Sequence, residues 1–151
     1  MKLRSLMPEL DGATTWINGK ITNKELVGEK PTIIHFWSVS CHMCTETIPN
    51  MMNFLNQYSD NLHVVSVHMP RSKSDTDLNR IKELAEKYGL NHPIYVDNDL
   101  ILTDVFDNQY VPAYYLFDRR GILRHYQAGE SGMKMLEKRI NRIIEEKTNR
   151  K

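Results

Sequence analysis

Apolar residues in this chain fall into short runs of two kinds, punctuated by Gly, Pro, Asn and Asp. Thr32–Trp37 is apolar and β-branched, does not alternate, and follows Pro31, the pattern of a strand buried on both faces. His63–His68 and residues 93–96 read as further strands. Ala113–Phe117 and residues 122–127 flank Asp118-Arg119-Arg120-Gly121, a hairpin with about four linking residues. Elsewhere the apolar spacing changes to three and four. Residues 40–58 carry Met43, Ile48, Met51, Met52 and Leu55 on one stripe behind a candidate cap at Ser40. Residues 75–88 turn Leu78, Ile81, Leu84, Ala85 and Tyr88 inward and stop at Gly89. Residues 100–106 give a short helix. A last helix runs from a cap at Ser131 to about Glu146, with Met135, Leu136, Ile140, Ile143 and Ile144 as its apolar face. Residues 14–20, turning near Asn18-Gly19, form a candidate opening hairpin.

From residue 32 the order is β-α-β-α-β-α-β-β-α. Alternating strands and helices predict a sheet with parallel members and helices on both faces, and the late hairpin adds antiparallel edge strands. The fold class is therefore an α/β three-layer sandwich.

Composition narrows the function more than the fold. The 151 residues suit a single domain, 1–151 with its core over about 8–146, large enough to bury a core without staples. With 20 Lys+Arg against 19 Asp+Glu, the net charge of +1 argues against a nucleic-acid or membrane-surface module. Charges near the C-terminus alternate in sign (Glu137, Lys138, Arg139, then Glu145, Glu146, Lys147), as on a solvated helix face. Residues 1–8 lack the apolar stretch of a secretory signal, and no run approaches the ~18 apolar residues of a membrane span. As written, the chain is expected to be a cytoplasmic monomer, or extracytoplasmic if a signal or anchor was trimmed.

The chemistry centres on the two cysteines, Cys41 and Cys44. A disulfide-stapled scaffold would carry four or more at wider spacings. Here the pair directly follows a buried strand and opens a helix, where positions i and i+3 share a face. Small rotations bring such residues to the Cβ separation of about 3.5–4.5 Å that a disulfide needs. Cys41, at the helix N-terminus, meets unpaired N–H groups and the positive end of the dipole. Direct N–H···S bonds from the backbone near Met43 and Cys44, with a charged His42, would lower its thiol further. Cys41 is thus the expected exposed nucleophile and Cys44, one turn deeper, the resolving thiol. Structural zinc needs four ligands, and neither a second C-x-x-C nor an H-x₃₋₅-H follows. A Cu(I) carrier using Cys41, Cys44 and His42 or a Met remains open, since these are soft ligands.

Three segments add a resemblance. Phe36-Trp37-Ser38-Val39-Ser40-Cys41-His42-Met43-Cys44, Pro49, and Tyr110-Val111-Pro112-Ala113-Tyr114 together resemble thioredoxin-like thiol–disulfide oxidoreductases. The additional helix and strand within residues 75–96 are similar to the insertion of the TlpA/ResA branch, and the resemblance spans about residues 8–145. It implies a thioredoxin-like α/β/α sandwich with a central mixed sheet. It also implies exchange with protein thiols and disulfides, with the Cys41–Cys44 disulfide as redox group and no other cofactor or metal. Trp37 would pack beside the site, Pro112 would be cis, and Val111 would offer its backbone to an extended peptide.

Some positions depart from that pattern. His35 stands where thioredoxin has a buried acid. Thr47 stands where many TlpA/ResA proteins have Glu, with Glu46 one position earlier and rotated by about 100°. His35 and Glu46 are therefore the candidate proton relays. His42 follows the first cysteine, whereas the His of DsbA-type oxidants precedes the second, so no potential is read from it. A peroxiredoxin-like peroxidase is the alternative activity. It wants Pro seven residues before its cysteine, where Ile34 stands, and a hydroxyl three before, which Ser38 supplies. Met43 and Tyr114 are candidates for apolar contact with a peptide, and Met51-Met52 for core filler.

Overall fold

The computed structural model describes residues 1–146; residues 147–151, with Lys147 of the alternating charges, lie outside the described residues. In chain order its elements are β1 (Thr15–Ile17), α1 (Asn23–Leu26), β2 (Thr32–Trp37), α2 (His42–Leu55), β3 (His63–His68), α3 (Leu78–Lys87), β4 (Ile94–Val96), α4 (Ile101–Phe106), β5 (Ala113–Phe117), β6 (Leu123–Ala128) and α5 (Met133–Glu146). Short 3₁₀ turns at Asn56–Tyr58 and Lys73–Thr76 follow α2 and precede α3.

The six strands form one mixed sheet in the order β1-β4-β3-β2-β5-β6. β2, β3 and β4 are parallel, and β1, β5 and β6 pair antiparallel with their neighbours. β2 is central and buried at all six positions, which explains its uninterrupted apolar run. Its alternate side chains feed two different cores. Ile33 and Trp37 join Ile48, Met51 and Leu55 of α2, Ile81 and Ala85 of α3, and Leu136, Ile140 and Ile143 of α5. Ile34 and Phe36 face the other way, onto Leu26 of α1, Leu102 and Phe106 of α4, and Met7 and Leu10. The layering is α2/α3/α5, sheet, then α1/α4 with the N-terminal segment, which is the expected three-layer arrangement.

Several local expectations need correction. The 14–20 segment turns at Asn18 and Gly19, both with positive φ, but β1 pairs with β4 rather than with its own continuation. The turn is tied down by the Asn18 amide, which donates to the carbonyls of Leu90 and His92 at 2.9 and 3.1 Å. Helix α1 carries no long apolar stripe. A reciprocal capping box between Thr22 and Glu25 forms its single turn. Within 75–88, the α-helix starts only at Leu78 because the Asp77 carboxylate caps it, accepting from Asn79 and Arg80. Ser131 lies two residues ahead of α5 rather than at its cap. Met43 and Met135, placed on apolar stripes by spacing, are 40% and 43% exposed and lie off the buried faces.

Phe106 anchors the second core, with ring centroids 5.2 Å from Phe36, 4.9 Å from Tyr115 and 6.2 Å from Phe117. Phe106→Ala is expected to cost about 3–5 kcal/mol in denaturant unfolding. Because the cysteines belong to the opposite core, the variant's thiol–disulfide equilibrium with glutathione should match that of the unaltered chain.

Candidate active site

Cys41 occupies the N-cap of α2, with extended backbone (φ −90, ψ 102). Its sulfur, not a hydroxyl or carboxylate, accepts the Cys44 backbone N–H at 3.1 Å. This is one of the two N–H donors expected; Met43 does not contribute. Ser40 is therefore not the cap. Cys41 and Cys44 are joined as a disulfide, with Cα atoms 5.2 Å apart. Cys41 is 4% exposed and Cys44 fully buried. The expected exposed nucleophile is thus covered in this oxidised state, because the 111–112 segment closes over it: Cys41 Sγ lies 3.8 Å from the Val111 carbonyl oxygen. The Val111–Pro112 peptide is cis. Val111 packs against both cores.

The loop from Trp37 to Cys41 is fastened to the end of β3. The Ser38 hydroxyl donates to the Met69 carbonyl, and the Val39 N–H donates to His68 Nε2 at 3.1 Å. Since His68 accepts on Nε2, its proton sits on Nδ1. Burial lowers its pKa to about 4, with Asp75 acting in the opposite direction. Trp37 is fully buried, edge-on to the His68 ring at 5.1 Å. The hydroxyl that a peroxidase would need at Ser38 is thus spent on Met69, and Ile34 faces the core on the far side of the sheet from the cysteines.

His35 is fully buried in mid-strand, stacked on Tyr114 with centroids 5.3 Å apart. Its Nδ1 lies 2.8 Å from the Ser66 hydroxyl, which lies 2.6 Å from His92 Nε2. Burial, and secondarily His92, lower His35 to about 3, and burial lowers His92 to about 4. At neutral pH His35 is a neutral imidazole with little affinity for a thiol proton, which argues against it as a resting base. Glu46 points to solvent and pairs with His42 Nε2 at 2.8 Å, both side chains being mostly exposed. The pair holds Glu46 on the outer face of α2 and engages His42 Nε2. Thr47, at the family's Glu position, donates its hydroxyl to the carbonyls of Met43 and Cys44. Tyr114 is fully buried, so it belongs to the core and not to a peptide-facing surface. Burial raises its hydroxyl to about 12, with Thr47 acting the other way. Among the described residues no group of three or more His, Cys, Asp or Glu is gathered for a metal ion.

Residues 5–126 match the AhpC/TSA family. The chain belongs to that family. It is 58% identical over 146 residues to the thiol-disulfide oxidoreductase YkuV of Bacillus subtilis, covering 97% of this chain and 99% of that one. The solution structure of a thioredoxin-like protein in the oxidized form superimposes with a TM-score of 0.88, at 58% identity and with 97% and 99% of the two chains covered. The thiol-disulfide oxidoreductase ResA of Bacillus subtilis is 24% identical over 127 residues, 83% of this chain and 68% of ResA. This AhpC/TSA member is accordingly a thiol–disulfide oxidoreductase with a thioredoxin-like fold and a C-x-x-C disulfide. Among the described residues no helix is long and apolar enough to cross a membrane.

Sequence reasoning passed over Asp75, Arg71 and His68 at this site. The spacing places Asp75 at the start of a helix, whereas it lies in the 3₁₀ turn before α3. Its place beside the cysteine loop follows only once β3 is known to lie parallel to β2.

The buried histidines make stability depend on pH. A His whose folded pKa is depressed contributes stability above its unfolded value of 6.5, and that contribution is lost as pH falls toward the folded value of about 3 for His35 or about 4 for His68 and His92. The unfolding free energy should therefore decline between pH ~6.5 and ~5, before carboxylates titrate appreciably. His35→Gln should reduce the slope in that window by up to one proton, about 1.4 kcal/mol per pH unit. Urea titrations across the range check this.

Proposed function

We propose that Cys41 is the attacking thiol and Cys44 the resolving thiol in exchange with disulfides and dithiols of protein substrates. The observation that carries this reading is the cap geometry: Cys41 Sγ accepts the Cys44 N–H at the positive end of α2, while Cys44 has no exposed surface. In the reducing direction the Cys41 thiolate attacks one sulfur of a substrate disulfide. A mixed disulfide forms and the other substrate sulfur departs as thiolate. Cys44 then attacks the Cys41 sulfur, the second substrate sulfur leaves, and the Cys41–Cys44 disulfide closes with two electrons transferred to substrate. The departing substrate thiolate takes the proton that Cys44 gives up. Val111 supports this reading because its carbonyl faces Cys41 Sγ, so an extended segment laid against residues 110–112 would reach the sulfur. Met43, 40% exposed and beside Cys41, supplies apolar contact.

Cys44→Ser, reduced and mixed with a disulfide-containing protein such as insulin, should accumulate a mixed disulfide through Cys41, seen by non-reducing electrophoresis and mass spectrometry. Cys41→Ser should accumulate none. Trapping through Cys44 instead would reverse the roles. Steady peroxide consumption with a thiol reductant and no disulfide exchange would replace this reading with a peroxidase.

A further inference from the structure

Four residues, Ser38 to Cys41, separate β2 from α2, and the end of β3 with the segment after it binds the first three. Beyond the bonds to Ser38 and Val39, Ser40 is held by two charged side chains. The Asp75 carboxylate is fully buried, and its Oδ2 accepts from the Ser40 hydroxyl at 2.7 Å and from the Arg71 N–H at 2.9 Å. The exposed Arg71 folds back over the same residue, donating from Nη2 to the Ser40 carbonyl at 2.7 Å and from Nε to the Ser40 hydroxyl at 3.2 Å. The Ser40 carbonyl belongs to the peptide whose nitrogen is that of Cys41. A full positive charge therefore rests on the bond leading into the nucleophile. A buried negative charge lies one hydrogen bond away, and its second oxygen, Oδ1, has no hydrogen-bond partner among the described residues. A carboxylate stripped of solvent is costly to maintain for packing alone, since an amide of the same shape could accept the same two bonds.

We propose that Arg71 and Asp75 are positioning residues that act on Cys41 through Ser40: together they fix the Ser40–Cys41 peptide, and with opposite signs they tune how readily Cys41 ionises. This rests on Cys41 being the attacking thiol. The Arg71 guanidinium favours the thiolate, hence the reduced form, and makes the disulfide more oxidising. The Asp75 carboxylate opposes it. A charge bound to the residue next to the cysteine, one side chain exposed and the other buried, is expected to change such an equilibrium on the order of fivefold. The opposed signs separate this role from simple support of the loop, because loosening the cap would weaken the thiolate whichever partner were removed.

The test uses the full chain with four variants: Arg71→Ala, Arg71→Lys, Asp75→Asn and Asp75→Glu. Thiolate absorbance gives the Cys41 titration midpoint, and equilibration with glutathione gives the dithiol–disulfide constant. Arg71→Ala should raise the midpoint and move the glutathione equilibrium about fivefold toward the disulfide, with Arg71→Lys falling between it and the unaltered chain. Asp75→Asn, which keeps the acceptor geometry, should shift both readings the other way, and Asp75→Glu should restore them in part. The proposal is overturned if Arg71→Ala leaves both readings unchanged, or if Asp75→Asn moves them in the same direction as Arg71→Ala. Should an Asp75 variant fail to fold, the exposed Arg71 pair decides by charge: Arg71→Lys, which keeps the charge but not the paired bonds to Ser40, should show a smaller shift than Arg71→Ala, and equal shifts overturn the proposal. If the unaltered chain forms no reversible disulfide, the Cys41 assignment fails first, and the trapping experiment above shows that independently.

Discussion

Six residues of β2 pair in parallel with six of β3, from Thr32 opposite His63 to Trp37 opposite His68, and most of the site depends on that register. Parallel pairing brings the two C-terminal strand ends to the same edge of the sheet. The chain leaving β2 then enters the cysteine loop, and the chain leaving β3 runs alongside it through Met69, Arg71 and Asp75. A slip of one residue would send His35 and Trp37 to the opposite face and part Val39 from His68. The burial of β2 on both faces makes such a slip expensive. The same burial that makes the strand easy to find in the sequence therefore keeps the catalytic loop in place.

At that edge the two sulfurs have unequal surroundings. Cys41 sits at a helix N-terminus with a backbone donor aimed at it, and Cys44 lies inside the first turn with no exposed surface. The polar side chains nearby are mostly engaged elsewhere: Ser38 with Met69, His42 with Glu46, Thr47 with carbonyls of its own helix. That leaves the two thiols as the reactive groups. It also explains why the peroxidase and soft-metal alternatives, both open from residue types alone, find little support in the geometry.

Much of the architecture was legible because it is written in local spacing. Thr32–Trp37, the stripes of α2, α3 and α5, and the cysteines at a strand-to-helix junction each announce themselves within a few residues. What stayed hidden depends on partners distant in the chain. Residues 14–20 carry the marks of a hairpin, yet they find β4 some eighty residues on. Ser40 is a good cap by type, but Asp75 and Arg71 claim it, so Cys41 takes the cap. Met43 and Met135 satisfy a helical spacing but fall on the rim of their stripes, where a small change in helix phase decides between core and solvent. Asp75 opens the helical range by spacing, and nothing in its neighbours reveals that its carboxylate is buried.

Val111 presents its carbonyl to Cys41 Sγ while its side chain packs against both cores, one on each side of the sheet. It is a seam between two otherwise separate packings. Isotope-labelled methyl groups on that one residue would consequently act as a spectroscopic sentinel, sensing redox state at the cysteines on one side and repacking around Phe106 on the other.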